Sequence, residues 1–176
     1  MRHRNYLFSL GTPRLENEAG DEVRLGTRKH LALLVYLAVE PTAHRRDWLI
    51  ELLWPASDGP TGRQSLATAL SLFRGKLGRE AVAADGHTVQ LIPGAVELDV
   101  DRLLKDQILG TDTRSAIDLD GFLNEFEIND APEFGMWRDR QRTRLLPRIK
   151  AGLVTLMDHA RRSGDMHRLG RYGDRL

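Results

Sequence analysis

The chain has 176 residues, of which 41% are hydrophobic and 29% charged, with a formal net charge of +1. That is enough for one full core or two small adjoining ones, and there is no low-complexity tract. The absence of cysteine excludes a disulfide framework, a thiolate zinc site and a cysteine nucleophile, and it suits a reducing cytoplasm.

The opening MRHRNYLFSLGTPR begins with basic residues, as a secretory signal does. Its apolar run from Tyr6 to Leu10 is broken at once by Gly11, Thr12 and Pro13, too short for a signal core. No stretch approaches the ~18 apolar residues of a membrane span, so a soluble, cytoplasmic protein is expected. The charge lies in blocks. From Thr61 to Arg79 every charged residue is positive: Arg63, Arg74, Lys76 and Arg79. Between Asp99 and Glu133 there are 10 acidic residues against 3 basic ones, and from Phe134 to Leu176 there are 11 basic against 4 acidic. Such blocks set local fields that the net charge hides.

In chain order, the first elements read as three short strands: YLFSLG, the start of PRLENEAGDEVRLG, and its closing VRL, with a turn at Glu18 to Asp21. KHLALLVYLAVE is apolar nearly all round, which predicts a helix at the centre of its domain, ended by Pro41. In HRRDWLIELLWP, Trp48, Leu49, Leu52 and Leu53 form a buried stripe. His44 stands at the expected cap and Asp47 at the third helical position of a capping box. PASDGPTG is a loop by composition.

A third helix follows over GRQSLATALSLFRGKLG. Leu66, Ala69, Leu70, Phe73 and Leu77 share one face at 100° per residue. Gln64, Ala67, Thr68, Ser71 and Gly75 share the opposite face. Arg63 and Arg74 lie on one flank, and Leu72 lies on the other at the margin of exposure. Gly78 supplies the stop. AVAADGHTVQLIPG then reads as a hairpin with Asp85-Gly86 as its tight turn. Three helices and a hairpin give the outline of a winged helix-turn-helix, an α+β unit with a small antiparallel sheet.

Beyond residue 98 the chain turns helical. VDRLLKDQIL is amphipathic, DGFLNEF is a short turn and helix, and PEFGMWRDRQRTRLLPRIKAGLVTLMDHARRSG is a long helical pattern. Pro147 predicts a kink or split there, and Gly164 ends the pattern. DMHRLGRYGDRL opens a further helix that stays unfinished, so the sequence reads as part of a longer protein. Two domains are expected: 1–98, and 99–176 as the truncated start of an all-α unit.

These residues resemble a known family. Leu10-Gly11, Leu25-Gly26, the Lys29–Leu37 helix, Leu49-Ile50, Leu53-Trp54, Leu66, Leu70, Phe73-Arg74, Leu77-Gly78 and Asp99-Val100-Asp101 are similar to the OmpR-type winged helix of Streptomyces antibiotic regulatory proteins. Gly121-Phe122-Leu123, Phe126, Trp137, Arg142, Leu145, Leu156, Ala160 and Gly164-Asp165 look like the start of the bacterial transcriptional activation domain, which is similar to tetratricopeptide repeats. The resemblance implies a sequence-specific activator on double-stranded promoter DNA. It also implies contact with RNA polymerase or self-association through the helical region, and a homodimer on direct repeats. In two places where the family usually carries arginine on the third helix, this chain has Ala67 and Leu72.

The outer face of the third helix has the chemistry that base readout needs: side chains short enough for close approach, with cations at the margins for phosphates. Gln64 suits an adenine edge, and Thr68 and Ser71 suit bases or phosphates. Arg63, Arg74 and Lys76 suit phosphates at the groove walls. His87 and Thr88 at the hairpin tip could reach a neighbouring minor groove, and Arg45 and Arg46 at the start of the second helix could hold the backbone. The plainer alternative is a solvated face on a winged-helix interaction module that binds no DNA. With three or four phosphate contacts per copy, one copy would bind weakly at physiological salt, and paired copies on repeats would gain from effective concentration.

Phe126, Phe134 and Trp137 read as core. The run Arg138, Arg140, Arg142, Arg144 and Arg148 could meet DNA, polymerase or the acidic block, but alternate positions spread around a helix and cannot all face one ligand. Signs of enzymatic chemistry are poor. The stretch around Gly75-Lys76 lacks the earlier glycine and the following hydroxyl of a phosphate loop. Asp158, His159, Asp165 and His167 form the one His/carboxylate cluster, at a helix end. No catalytic residue, cofactor or metal is expected.

Overall fold

The computed structural model describes residues 4–105 and 121–174 as an α+β structure with two small sheets. In the first sheet β1 (Asn5–Phe8) pairs antiparallel with β2 (Arg14–Asn17) and parallel with β6 (Glu97–Leu98). Leu7 and Leu15 face each other in register, and both are buried. The third strand expected over 23–25 does not form; only an isolated Glu16–Glu22 bridge extends the pairing. The carbonyl of Leu25 is already taken by the Thr27 N–H and the His30 ring, so it cannot enter a ladder.

α1 (Arg28–Val39) is capped by Thr27, whose hydroxyl accepts from the His30 N–H. Ala32 through Leu37 are all buried, as the continuous apolar run requires. β3 (His44–Arg45), β4 (Val82–Ala84) and β5 (Thr88–Leu91) form the second sheet in the order β3-β5-β4. His44 is therefore a strand residue paired with Val89 and not a helix cap. α2 (Arg46–Leu53) begins after Arg45 with no side-chain cap. The hairpin replaces the cap: the Arg46 N–H donates to the carbonyl of His87 at 2.9 Å.

α3 (Gly59–Leu77) starts four residues before Arg63, inside the stretch expected to be loop. Asp58 accepts from the Thr61 N–H at 2.7 Å, and Pro60 lies in the first turn, where its missing N–H costs nothing. These hydrogen bonds from Thr61 hold the Asp58 carboxyl below its ordinary range. Gly62 is where α2 crosses α3: a Cβ there would lie 2.5 Å from Ile50 Cγ2. Leu66, Ala69, Leu70 and Phe73 are buried as the periodicity predicts, while Leu72 packs half-buried against the edge of the core. Gly78, at a φ of 106°, ends the helix, and a single 3-10 turn at Arg79–Ala81 leads into β4.

The hairpin turn also differs from expectation. Gly86 is not among the glycines with positive φ, so no Asp-Gly turn of the left-handed kind is present. The Asp85 carboxylate builds the turn instead, accepting from the N–H groups of His87 and Thr88 at 2.7 and 2.6 Å. Those bonds, Thr88's first, depress its pKa.

α4 (Asp99–Leu104) is shorter than VDRLLKDQIL; residues 106–109 of that expectation, like Met1 to His3, lie outside the described residues. Gly121 to Phe126 is not helical. Gly121, Leu123 and Glu125 have φ of 116°, 50° and 53°. Their stretch is tied to the chain after β1: Leu123 N–H donates to Ser9 O, and Gly11 N–H to Gly121 O, each at 2.7 Å. Backbone groups spent that way cannot build a helical ladder.

α5 (Pro132–Ser163) runs unsplit through Pro147 for 32 residues. Leu145, Ile149 and Leu153, buried on either side of the proline, fasten both halves to the same core. Gly164 closes the helix in the left-handed region, and Asp165 caps α6 (Met166–Gly173) by accepting from the Arg168 N–H. Asp158 and His159 are exposed. Among the described residues no helix is long and apolar enough to cross a membrane.

The core is continuous from β1 to α5. Tyr36 of α1 packs at steep angles between His44 and Trp137, each ring centroid 5.0 Å away, and Phe122, Phe126 and Phe134 complete the cluster. Glu40 accepts from Trp137 Nε1 and Gln141 Nε2, both at 3.0 Å. Asp99 lies buried beneath β1, accepting from the N–H groups of Ser9, Leu10 and Val100 and from the Ser9 hydroxyl. Burial with no counter-cation pushes its carboxyl up to about 6 in spite of these donors.

Candidate nucleic-acid interface

α3 offers one exposed strip to solvent. Gln64, Ala67, Thr68, Ser71, Gly75 and Lys76 are all exposed and line a shallow groove of about 610 Å³, with Leu72 at its edge. The only side-chain hydrogen bond within the strip is a long one of 3.4 Å from Gln64 Nε2 to Thr68 Oγ1. Both groups therefore keep hydrogen-bonding capacity for a ligand.

Gly75 is informative because nothing in the fold demands it. A Cβ there would meet no atom within 4 Å, and its φ is not positive. A glycine costs up to about 1 kcal/mol relative to alanine inside a helix and less in the last turn, where Gly75 sits. Here that cost has no packing return, unlike at Gly62.

The cations predicted around the strip divide by how far they are committed. Arg63 is exposed, and its guanidinium lies back over Gly59 beside Asp58, at the start of the helix. Arg74 is half-buried and reaches toward the Val82 carbonyl of β4 at 3.4 Å, so it belongs to the joint between helix and hairpin. Lys76 is exposed at the groove's end. Arg45 is exposed with only a long contact of 3.8 Å to Asp47, whereas Arg46 donates to the Asp85 carbonyl at 3.0 Å and anchors the hairpin tip. His87 stands exposed at that tip. Thr88 is half-buried, with its hydroxyl 3.2 Å from both Asp85 oxygens. The structure thus brings Gln64, Thr68, Ser71 and Lys76 into one strip. Arg45 and His87 stay on a neighbouring edge, and Arg46, Arg74 and Thr88 are spent on holding the hairpin.

Sequence reasoning missed the opposite wall. The strip opens on its Gln64–Thr68 side into a wider cleft of about 1230 Å³, whose far side carries Arg28, Lys29, Glu125, Glu127 and Asp130. Lys29 pairs with Asp130 at 2.7 Å and Arg28 lies over the Phe126 ring. The sequence signals only the acidic block itself, because the turn-and-helix expected over DGFLNEF gives no hint that Glu125, Glu127 and Asp130 face α3.

The arginine run of α5 also sorts itself. Arg138 is buried, donating to the Phe126 carbonyl at 2.9 Å and pairing with Asp139 and Glu127. Arg142 donates to the carbonyls of Phe122 and Leu123. These two arginines hold the left-handed loop in place.

No protein-family model and no curated protein matches the sequence. Among solved structures, Mycobacterium tuberculosis EmbR, determined in complex with a low-affinity phosphopeptide, has the same fold at a TM-score of 0.61. The two are 18% identical over 98% of this chain and 56% of that one, so the chain spans little more than half the length of EmbR. At that identity the likeness is one of fold: an α+β arrangement of small sheets and helices.

Proposed function

We propose that the chain is the DNA-binding and adjoining helical part of a transcriptional regulator of the antibiotic-regulatory-protein type, non-enzymatic and cytoplasmic. In this reading residues 1–98 are a winged helix, with α3 as recognition helix and the β4–β5 hairpin as wing. Residues 99–176 are the start of a tetratricopeptide-like activation domain. That boundary separates roles rather than packing, since Asp99 is buried against Ser9 and Leu10. The single observation that carries the reading is the exposed strip of Gln64, Thr68, Ser71 and Lys76 with an unexplained glycine at 75. A helix meant only to be wet gains nothing from that glycine, whereas a helix seated in a major groove gains close approach.

Gln64 would read a base edge, and Thr68 and Ser71 would contact bases or phosphates. Arg63, Lys76, Arg45 and His87 would supply phosphate contacts, while Arg46, Arg74 and Thr88 would act by holding the wing. Partners would be double-stranded promoter DNA, a second copy on direct repeats, and RNA polymerase through the helical part. The reading as an interaction module without DNA has one observation of its own, the acidic rim of Glu125, Glu127 and Asp130 across the cleft.

Electrophoretic shift of fragments from upstream of the protein's own gene, across a salt series, separates the two. The DNA reading predicts a shift at low salt whose affinity falls with a log–log slope of at least about −3, for three or four phosphates under α3 and the wing, together with loss of fragment preference in Gln64→Ala. No shift at low salt, or one indifferent to Gln64→Ala with Lys76→Gln, would refute it.

A further inference from the structure

The run of arginines in α5 falls into an inner pair, which the fold uses, and an outer pair, Arg140 and Arg144, which faces solvent. Arg138 and Arg142 face inward and hold the 121–127 loop. Arg140 and Arg144, 200° away from Arg138 and Arg142 respectively, are exposed, and Arg148 follows on the same face one turn later. Among the described residues neither Arg140 nor Arg144 forms an ion pair with a carboxylate. Arg144 donates only to the neutral Gln141 side chain, at 3.3 Å. Asp139, the acid beside this outer pair in sequence, is turned to the inner row, 3.0 Å from Arg138 and 3.7 Å from Arg142, and Glu40 accepts from Trp137 and Gln141.

From Arg140 to Met157 the sequence contains no Asp or Glu, but has Arg140, Arg142, Arg144, Arg148 and Lys150. A helix face that only meets water ordinarily mixes both signs, because like charges at i,i+4 repel. The exposed pair of like charge at Arg140 and Arg144 suits a polyanion laid over it.

The row also starts at the base of the hairpin sheet. Glu40 at the end of α1 accepts from Gln141, which in turn accepts from Arg144. The next residue, Pro41, accepts from Gln90 of β5 at 2.9 Å. The wing sheet and the arginine row are thus joined across the Glu40–Pro41 turn, and Arg45 leaves the same turn two residues past Ala43.

We infer that Arg140 and Arg144 extend the DNA-backbone surface of the wing onto α5, binding phosphates that flank the segment read by α3. The inference rests on the proposed DNA reading and adds a contact from the helical part that carries no base information. It favours duplex DNA over an acidic protein surface, because the row starts beside the base of the same small sheet whose strand and turn carry Arg45 and His87.

The test is fluorescence anisotropy of the full chain on a mixed-sequence duplex of about four helical turns, across a salt series. Expected is a loss in R140Q/R144Q of about 1.8 in the salt slope, at about 0.9 per phosphate, with several-fold weaker binding at low salt. The R140K/R144K variant should keep the slope, and melting temperatures should be unchanged. Wild-type protein that binds while R140Q/R144Q binds with the same slope overturns this inference and leaves the α3 reading intact. Wild-type protein that binds no duplex at low salt overturns both. A variant that keeps its DNA slope but loses binding to polyglutamate assigns the row to an acidic protein surface and also overturns it.

Discussion

α3 and the first half of α5 are both basic helices, yet they use their charge in opposite ways. α3 keeps its cations at its two ends, Arg63 at the start and Arg74 and Lys76 in the last turn, and fills the middle of its outer face with Gln64, Ala67, Thr68 and Ser71. α5 concentrates arginine in its first half and splits it between an inward row and an outward one. The contrast teaches that a basic run in sequence says little until each guanidinium is traced to its partner. Two of the most prominent arginines in α5 are structural posts. The candidate reading surface is the helix with fewer charges, because base edges need short polar side chains rather than a dense positive field.

The largest expected effect lies outside both helices, at the buried carboxyl that joins the start of α4 to the end of β1. Asp99 carries a folded pKa raised from 3.8 to about 6, so folding favours its protonated form. Its stabilising contribution is complete below about pH 4 and lost as the pH rises through 6, roughly 3 kcal/mol in all. Chemical denaturation of wild type and Asp99→Asn between pH 4 and 7 should give a difference curve with that slope. A flat difference would show that the four donors around Asp99 fully offset its burial.

Next, the inner row of α5 should behave as structure. Arg138→Ala or Arg142→Ala should each cost about 1.5–3 kcal/mol in urea unfolding, the range for hydrogen bonds to a charged group. Arg140→Gln should stay within about 0.5 kcal/mol of wild type. Equal costs in both rows would dissolve the division. Within α3 the two glycines supply the matching contrast. Gly62→Ala forces a Cβ against Ile50 and should cost about 1–3 kcal/mol, whereas Gly75→Ala should stabilise by up to about 1 kcal/mol in thermal unfolding.

Much of this contrast was legible in the sequence. The period of Leu66, Leu70 and Phe73 fixed the faces of α3, and the unbroken run Leu31 to Val39 placed α1 at the centre. Asp58-Gly59-Pro60 already held a cap and a first-turn proline, so the early start of α3 was readable from side-chain chemistry but hidden by loop-like composition. Other features lay beyond sequence reach. His44 became a strand residue because β5 lies beside it, and Gly121 to Phe126 lost helicity because Ser9 and Gly11 claim its backbone. Both follow from partners far along the chain, which local propensity does not see. In the candidate site, Gln64, Thr68 and Ser71 are found by helical periodicity, and Lys76 by its charge. Which cations were already spent depended on the hairpin's carbonyls.

The central claim, that the outer strip of α3 seats against DNA, is tested most directly at Gly75. Leucine there meets no atom of the chain near its Cβ, so Gly75→Leu should fold with an unchanged or raised melting temperature. The account predicts that duplex affinity at low salt, read by anisotropy, falls at least about tenfold (about 1.4 kcal/mol), because the side chain holds the helix off the groove floor. A folded Gly75→Leu protein that binds the duplex as tightly as wild type would contradict it.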